Sequence, residues 1–304
     1  IDMKCLVTGG AGFIGSHIVD ALLQDGHIVH VIDNFSTGKR ENCNNNAHYH
    51  EYDLTDTKNT KKFVEIMNNV DTIFHTAALS HVQPSIEDPL RYELNNTIGT
   101  VNILKSAVAG SVKRFIYSAS SSVYGNSTML PLKESDEPNP ISPYAAQKYY
   151  GEIYCKMFSE IYNIETVSLR YFNVYGERQN LEGAYANVIG VFIQQCINNE
   201  PMTINGDGKQ KRDFIYVGDV VKANILASQS KKIGKGETIN IGSGISKSVN
   251  EIAAMIGGNK IFVDPVKEPR ESLADRSKAK KLLNWQPKVN IENWILSYKK
   301  RLGL

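Results

Sequence analysis

Four glycines fall within Gly9 to Gly15, directly after the apolar run Cys5-Leu6-Val7 and just before the amphipathic stretch His17 to Gln24. Nothing else in the chain narrows its fold so far. The run reads as a buried strand and the stretch as a helix. Gly10, Gly12 and Gly15 satisfy GxGxxG, while Gly9, Gly12 and Gly15 satisfy the wider GxxGxxG. Glycines at a strand-to-helix junction permit a tight turn, close approach of a pyrophosphate and close helix–strand packing. The helix N-terminus then offers free N–H groups and a partial positive charge to phosphates.

The pattern repeats downstream. Ile28 to Asp33, His48 to Tyr52, Thr72 to His75 and Arg114 to Ser118 read as strands, with helices over Lys58 to Met67 and Asn95 to Ala109. Alternating βα units imply a parallel sheet covered on both faces. Asp33 ends the second strand, where a carboxylate accepts hydrogen bonds from an adenosine ribose and repels a 2′-phosphate. That favours NAD; Lys39 and Arg40 leave NADP open. After Arg170 glycines and a proline break up the pattern. Phe214 to Val217 and Thr238 to Ile241 read as strands returning to the sheet, and Ser277 to Asn284 and Ile291 to Arg301 as short helices. The expected class is α/β: a Rossmann-type doubly wound parallel sheet with a smaller C-terminal α/β substrate domain. The NAD-binding domain spans 1–170 with return segments near 213–241, and 171–304 is mainly substrate-binding.

Bulk properties exclude several classes. Of 304 residues 41% are hydrophobic and the net charge is +2, which suits a sizeable core and gives no general affinity for nucleic acid or anionic membrane. No apolar run approaches the roughly 20 residues of a membrane span, and the N-terminus does not read as a signal peptide. Cys5, Cys43, Cys155 and Cys196 are scattered without a CxxC, as in a reduced cytoplasmic protein. No cysteine or carboxylate cluster joins the histidine pairs, so no metal site is expected.

Tyr144 and Lys148 lie four residues apart, one turn apart on one face of a helix. A free tyrosine, with a pKa of about 10, is a poor base at neutral pH. Bringing it near 7 takes about 4 kcal/mol. An ammonium about 4 Å away at an effective dielectric near 20 supplies energy on that order. Alone, such a pair is ordinary on a solvated helix face; its surroundings decide.

Strand, glycine loop, Asp33, the serine-rich strand end Ser118 to Gly125 and Tyr144-x-x-x-Lys148 together resemble the extended short-chain dehydrogenase/reductases, in the NAD-dependent epimerase/dehydratase group, closest to its UDP-glucose and UDP-N-acetylglucosamine 4-epimerases. The likeness runs from Lys4 to about Leu302 and includes His75-Thr76-Ala77-Ala78, Leu169 to Gly176 and Asn205 to Asp219. It implies a catalytic trio of Ser120, Tyr144 and Lys148. Tyr144 would take the proton of the sugar 4-hydroxyl while C4 gives a hydride to NAD. A 4-keto sugar would then turn over in the site and be reduced on its other face. Lys148 would hold the nicotinamide ribose and lower the Tyr144 pKa.

The resemblance also implies an NAD site of Gly9, Gly12, Phe13, Ile14, Gly15, Asp33, Asn34, Ser36, Thr37, Gly38, Asp53, Leu54, Thr76, Ala77, Ala78, Ser80, Asn95, Ser118, Tyr144, Lys148 and Phe172. For the UDP-sugar it implies Ser80, Ser120, Tyr144, Asn173, Asn187, Val188, Thr203, Asn205, Arg212, Arg270 and Ser272. Related dehydratases and decarboxylases carry an acidic residue just after the catalytic hydroxyl; here Ser121 and Ser122 stand there, which disfavours both reactions. The segment before Ser272 is about five residues shorter than the family's, which puts the reach of Arg270 in question. Ser272 itself falls at a gate beside the sugar 2-substituent, where a small residue leaves room for an N-acetyl group. The expected substrates are UDP-GlcNAc/UDP-GalNAc together with UDP-Glc/UDP-Gal. Another nucleotide sugar such as a UDP-uronate is the alternative, and a non-catalytic NAD-binding scaffold a third. A homodimer is expected, with helices near Asn95 to Ala109 and Tyr144 to Ile161 pairing.

Overall fold

A computed structural model describes residues 2–181, 183, 186–266 and 268–304. Its strands are β1 (Lys4–Thr8), β2 (Ile28–Asp33), β3 (His48–Glu51), β4 (Thr72–His75), β5 (Arg114–Ser120), β6 (Glu165–Tyr171), β7 (Asn173–Tyr175), β8 (Met202–Asn205), β9 (Lys211–Tyr216), β10 (Lys235–Ile241), β11 (Ser246–Ser248) and β12 (Lys260–Val263). The helices are α1 (Phe13–Gln24), α2 (Thr60–Ile66), α3 (Val82–Glu87), α4 (Pro89–Glu93), α5 (Gly99–Ala109), α6 (Pro143–Tyr162), α7 (Val188–Ile197), α8 (Val217–Gln229), α9 (Val249–Ile256), α10 (Ser277–Leu283) and α11 (Ile291–Leu302).

Seven strands pair in parallel in the order β10-β6-β5-β4-β1-β2-β3. Successive residues of a strand face opposite sides, and β1 shows the result. Cys5 and Val7 enter one core and Leu6 the other, so the sheet is buried on both faces. Strand order reverses between β1 and β4, and ligands of open α/β sheets bind beyond the carboxyl ends of the strands at such a switch point.

A second, smaller unit holds the three-stranded sheet β11-β9-β7, the pair β12-β8 and a core of its own around Phe192, Ile252 and Trp294. Here the structure corrects an expectation. Thr238 to Ile241 returns to the large sheet within β10, but Phe214 to Tyr216 lies in β9, which pairs with β7 and β11 instead. The cause is visible in adjacent side chains. Phe214 packs into the small core and Ile215 into the large one, so β9 is buried on both faces without joining the large sheet.

The helix expected over Asn95 to Ala109 is divided into a π turn, Leu94–Ile98, followed by α5. The wider turn leaves Asn95 on the wall of the main cavity and Asn96 in the core. Helix α6 is fixed at its start by Pro143 and by Ser142, whose Oγ accepts the Ala145 N–H at 3.1 Å, and it stops at Asn163 in a left-handed conformation. These two ends set the phase with which Tyr144 and Lys148 face the sheet.

Candidate active site

A cavity of about 1330 Å³ opens along the carboxyl ends of the large sheet and continues into the smaller unit. A pocket for one small ligand holds roughly 300–1,000 Å³, so this one has room for two.

One half is built on the first βα unit. Gly9 has φ +70°, and a Cβ there would stand 2.8 Å from the Ala77 backbone. At Gly15 a Cβ would meet the Gly9 carbonyl oxygen at 2.2 Å. Gly10 behaves differently: it lies off the cavity, and its added Cβ would strike Val31 at 2.6 Å, which makes it a helix-packing glycine. No side chain caps α1, so its first N–H groups remain available to a phosphate. Asp33 is buried at the end of β2, taking the Ala11 N–H at 2.9 Å and the Phe35 N–H at 2.8 Å. A carboxylate has about four acceptor sites, so capacity remains for ribose hydroxyls. Gly38 keeps the approach open, since a Cβ there would lie 2.9 Å from Asp33 Oδ1. Arg40 is drawn away, paired with Glu51 and stacked 3.5 Å over the Phe35 ring, and Lys39 stands 3.8 Å from Glu41. The cradle fits a dinucleotide with a free 2′-hydroxyl. All the residues expected at the cofactor, from Gly9 to Phe172, line this cavity.

The middle holds the expected trio. Ser120 ends β5, and its hydroxyl faces the cavity with the Tyr144 phenol. Lys148 donates from Nζ to the Ser118 carbonyl at 2.8 Å and lies 6.0 Å from the centre of the Tyr144 ring. Burial pushes the phenol of Tyr144 up from its ordinary value, and the nearby Ser120 hydroxyl opposes this. Lys148 is pushed down to about 8 by burial. Behind them His75 bonds the hydroxyls of Thr8 (2.7 Å) and Thr100 (2.8 Å), and burial followed by the Lys148 charge holds its pKa down at about 3. One turn beyond Lys148 on the same face of α6, Glu152 forms a buried two-pronged pair with Arg170 at 2.7 Å in each contact.

The other half draws on distant segments. Asn173, Asn187, Arg212 and Ser272 line the cavity. Asn187 caps α7 by accepting the Gly190 N–H at 2.9 Å. Arg212 pairs with Glu268 of the segment alongside β9. Buried Asp213 accepts the Ala274 N–H at 3.0 Å while its own N–H goes to Ser272 Oγ at 3.2 Å, which holds Ser272 at the wall.

Four expected substrate residues lie off this wall. Val188 starts α7 and packs against the small core. Thr203 is tied to Gln195 through both its N–H and its hydroxyl. Asn205 is exposed and gives its carbonyl to Gln210. Arg270 is exposed and pairs with Asp207 through two contacts of 3.1 and 3.2 Å; the pairing of its own carbonyl with the Lys211 N–H turns its side chain outward. Conversely, His81, Gln179 and Glu268 line the cavity without having been singled out. His81 stands in the loop between β4 and α3, at the start of the helix.

Comparison with known proteins agrees with this geometry. The pattern of the NAD dependent epimerase/dehydratase family matches residues 5–242. A putative UDP-glucose 4-epimerase of Methanocaldococcus jannaschii is 40% identical over 298 residues, covering 95% of each chain. The solved UDP-N-acetylglucosamine 4-epimerase of Methanobrevibacter ruminantium, in complex with UDP-N-acetylmuramic acid, superposes with a TM-score of 0.92 at 40% identity, covering 99% of this chain and 98% of that one. The UDP-glucuronic acid 4-epimerase of Bacillus cereus, in complex with UDP-glucuronic acid and NAD, gives 0.89 at 34%, covering 99% and 100%. With a glycine cradle and a buried Asp33 suited to NAD and a Ser–Tyr–Lys trio beside them, the chain belongs to the NAD dependent epimerase/dehydratase family.

Proposed function

We propose that this protein inverts C4 of a neutral UDP-sugar, accepting the UDP-GlcNAc/UDP-GalNAc pair as well as UDP-Glc/UDP-Gal. The observation that carries the reading is that Ser120, Tyr144 and Lys148 meet on one wall, with Lys148 pinned by a carbonyl, midway along a cavity with room for two ligands. NAD, when bound over Gly9 to Ala78, supplies a reversible hydride acceptor for C4. Tyr144 takes the proton of the 4-hydroxyl and returns it, and Ser120 bridges phenol and O4. A positive charge at Lys148, held by the Ser118 carbonyl, would favour the phenolate against the burial that raises the Tyr144 pKa. The Arg212 guanidinium suits a diphosphate.

Two features favour epimerisation of a neutral sugar. Ser121 and Ser122 offer no carboxyl group to expel water. Among the described residues, the cations lining the cavity already have partners: Lys39 with Glu41, Arg178 with Asp20, Arg212 with Glu268 and Lys148 with a carbonyl. A hexuronate would bring one more negative charge without a spare cation to meet it. The small Ser272 on the wall supports acceptance of an N-acetyl group. Exposed Leu90, Leu94 and Ile98 beside exposed Tyr150 and Ile153 of α6 support a homodimer, with the contact displaced from α5 to the segment before it. Free, separated cysteines suit the cytoplasm.

The test is incubation with NAD and each of UDP-GlcNAc, UDP-GalNAc, UDP-Glc, UDP-Gal and UDP-glucuronate, with NMR of the products. Interconversion of the first four at C4 is expected. Turnover of UDP-glucuronate alone, or loss of water from any sugar, would refute the proposal. Ser272→Tyr should lose the acetylated pair and keep the plain pair; equal loss of both would remove the gate.

A further inference from the structure

His81 combines features that the chemistry above leaves unused. Its backbone lies at φ 80°, ψ 144°, a conformation that glycine adopts freely and that strains a residue with a side chain. Neighbours hold it there. Asn96 brackets Leu79, accepting its N–H at 2.8 Å and donating to its carbonyl at 2.9 Å. The Tyr92 hydroxyl donates to the Ser80 carbonyl at 2.7 Å. Asn96 also donates to Gln147 on α6 at 3.1 Å, and Ser85 Oγ accepts the Tyr144 N–H at 3.1 Å. The strained residue is thereby registered to the helix that carries Tyr144 and Lys148. Its imidazole lines the cavity, with Nδ1 bonded to Ser80 Oγ at 2.8 Å. Burial lowers its pKa, so the ring is neutral at physiological pH. A turn alone would be better served by glycine. Strain that the surroundings enforce at a ligand wall points to a side chain kept for what it touches.

We infer that His81 is a substrate-binding residue whose imidazole, aligned by Ser80, hydrogen-bonds the sugar ring of the bound nucleotide sugar. The inference rests on the nucleotide-sugar reading above. His81→Gly removes the imidazole and the strain together. The expected result is a Tm that holds or rises, unchanged NAD content, little change in kcat, and a KM for the UDP-sugar raised about tenfold, the value of one hydrogen bond. By calorimetry on the NAD-loaded protein, UDP alone should bind variant and wild type equally, while UDP-glucose binds the variant more weakly. His81→Asn, which keeps a polar group on the same strained backbone, should recover part of the loss. An unchanged KM, an equal loss for UDP alone, or a fall in Tm accompanying the loss would overturn the inference, the last because it marks a residue that serves the fold. A wild type that turns over no UDP-sugar would instead defeat the proposed function, and the calorimetric comparison of UDP-glucose with UDP would still decide for or against His81.

Discussion

The two halves of the cavity are built on opposite plans. The cofactor half rests on the ends of β1, β2 and β4, adjacent strands of one sheet whose pairing braces each contact. Asp33 is held by two backbone N–H groups, and Thr76 Oγ1 donates to the Thr8 carbonyl at 2.6 Å. The substrate half is assembled from β7, the start of α7, β9 and the segment at 268–272, elements far apart in the chain. Its binding groups are occupied with one another, as when Arg212 grips Glu268. A rigid half suits an invariant cofactor; a half made of converging segments can be retuned for another sugar by changing one of them.

The comparison can be broken in several ways. The largest effect should come where the halves meet. Tyr144→Phe is expected to lower turnover by about 10²–10⁴-fold while the purified protein keeps its NAD, read by chromatography of the released nucleotide. Near-normal turnover would remove Tyr144 from the chemistry. In the cofactor half, Gly15→Ala forces a methyl against the Gly9 carbonyl. Overpacking of about 1–3 kcal/mol should lower the Tm of the NAD-free protein and, by displacing the Gly9 turn, weaken NAD by about 5–150-fold in calorimetry. In the substrate half the two arginines should separate. Arg212→Ala should raise KM about 10–100-fold, since hydrogen bonds to charged groups contribute about 1.5–3 kcal/mol. Arg270→Ala, which removes an exposed pair, should cost less than about fivefold. Equal effects would mean that Arg270 turns inward when substrate binds.

A further effect concerns acid. His75 binds its proton more weakly folded than unfolded, so its contribution to stability is complete above about pH 6.5 and is lost as pH falls toward about 3. Because its ring bonds Thr8 on β1 and Thr100 on α5, the cofactor half should loosen first. Hydrogen exchange across pH 7 to 4 checks this. Earlier exchange at β9 than at β1 would reverse the comparison.

The same contrast explains what was legible in the sequence. Glycine spacing, Asp33 and the Tyr144–Lys148 interval are local signals, and each sits where local geometry puts it. Arg270, Thr203 and Asn205 depend on how separate segments meet, and Arg270 is turned toward Asp207. Phe214 to Tyr216 was readable as a strand, but an apolar run does not state which sheet it joins. The π turn at Leu94–Ile98 was equally hidden, because one extra residue per turn barely disturbs an apolar period. His81 stood in plain view, yet its importance lies in a backbone angle that composition does not encode.

The two-sided burial of β9 bears on engineering. Because Phe214 belongs to the small core and Ile215 to the large one, the strand works as a rivet between them. A chimera that exchanges the sugar-facing segments with those of a relative would keep a sound joint only if its crossovers leave residues 211–216 intact. A crossover inside them would separate two hydrophobic surfaces that now share one strand, and neither part would be expected to fold cooperatively by itself.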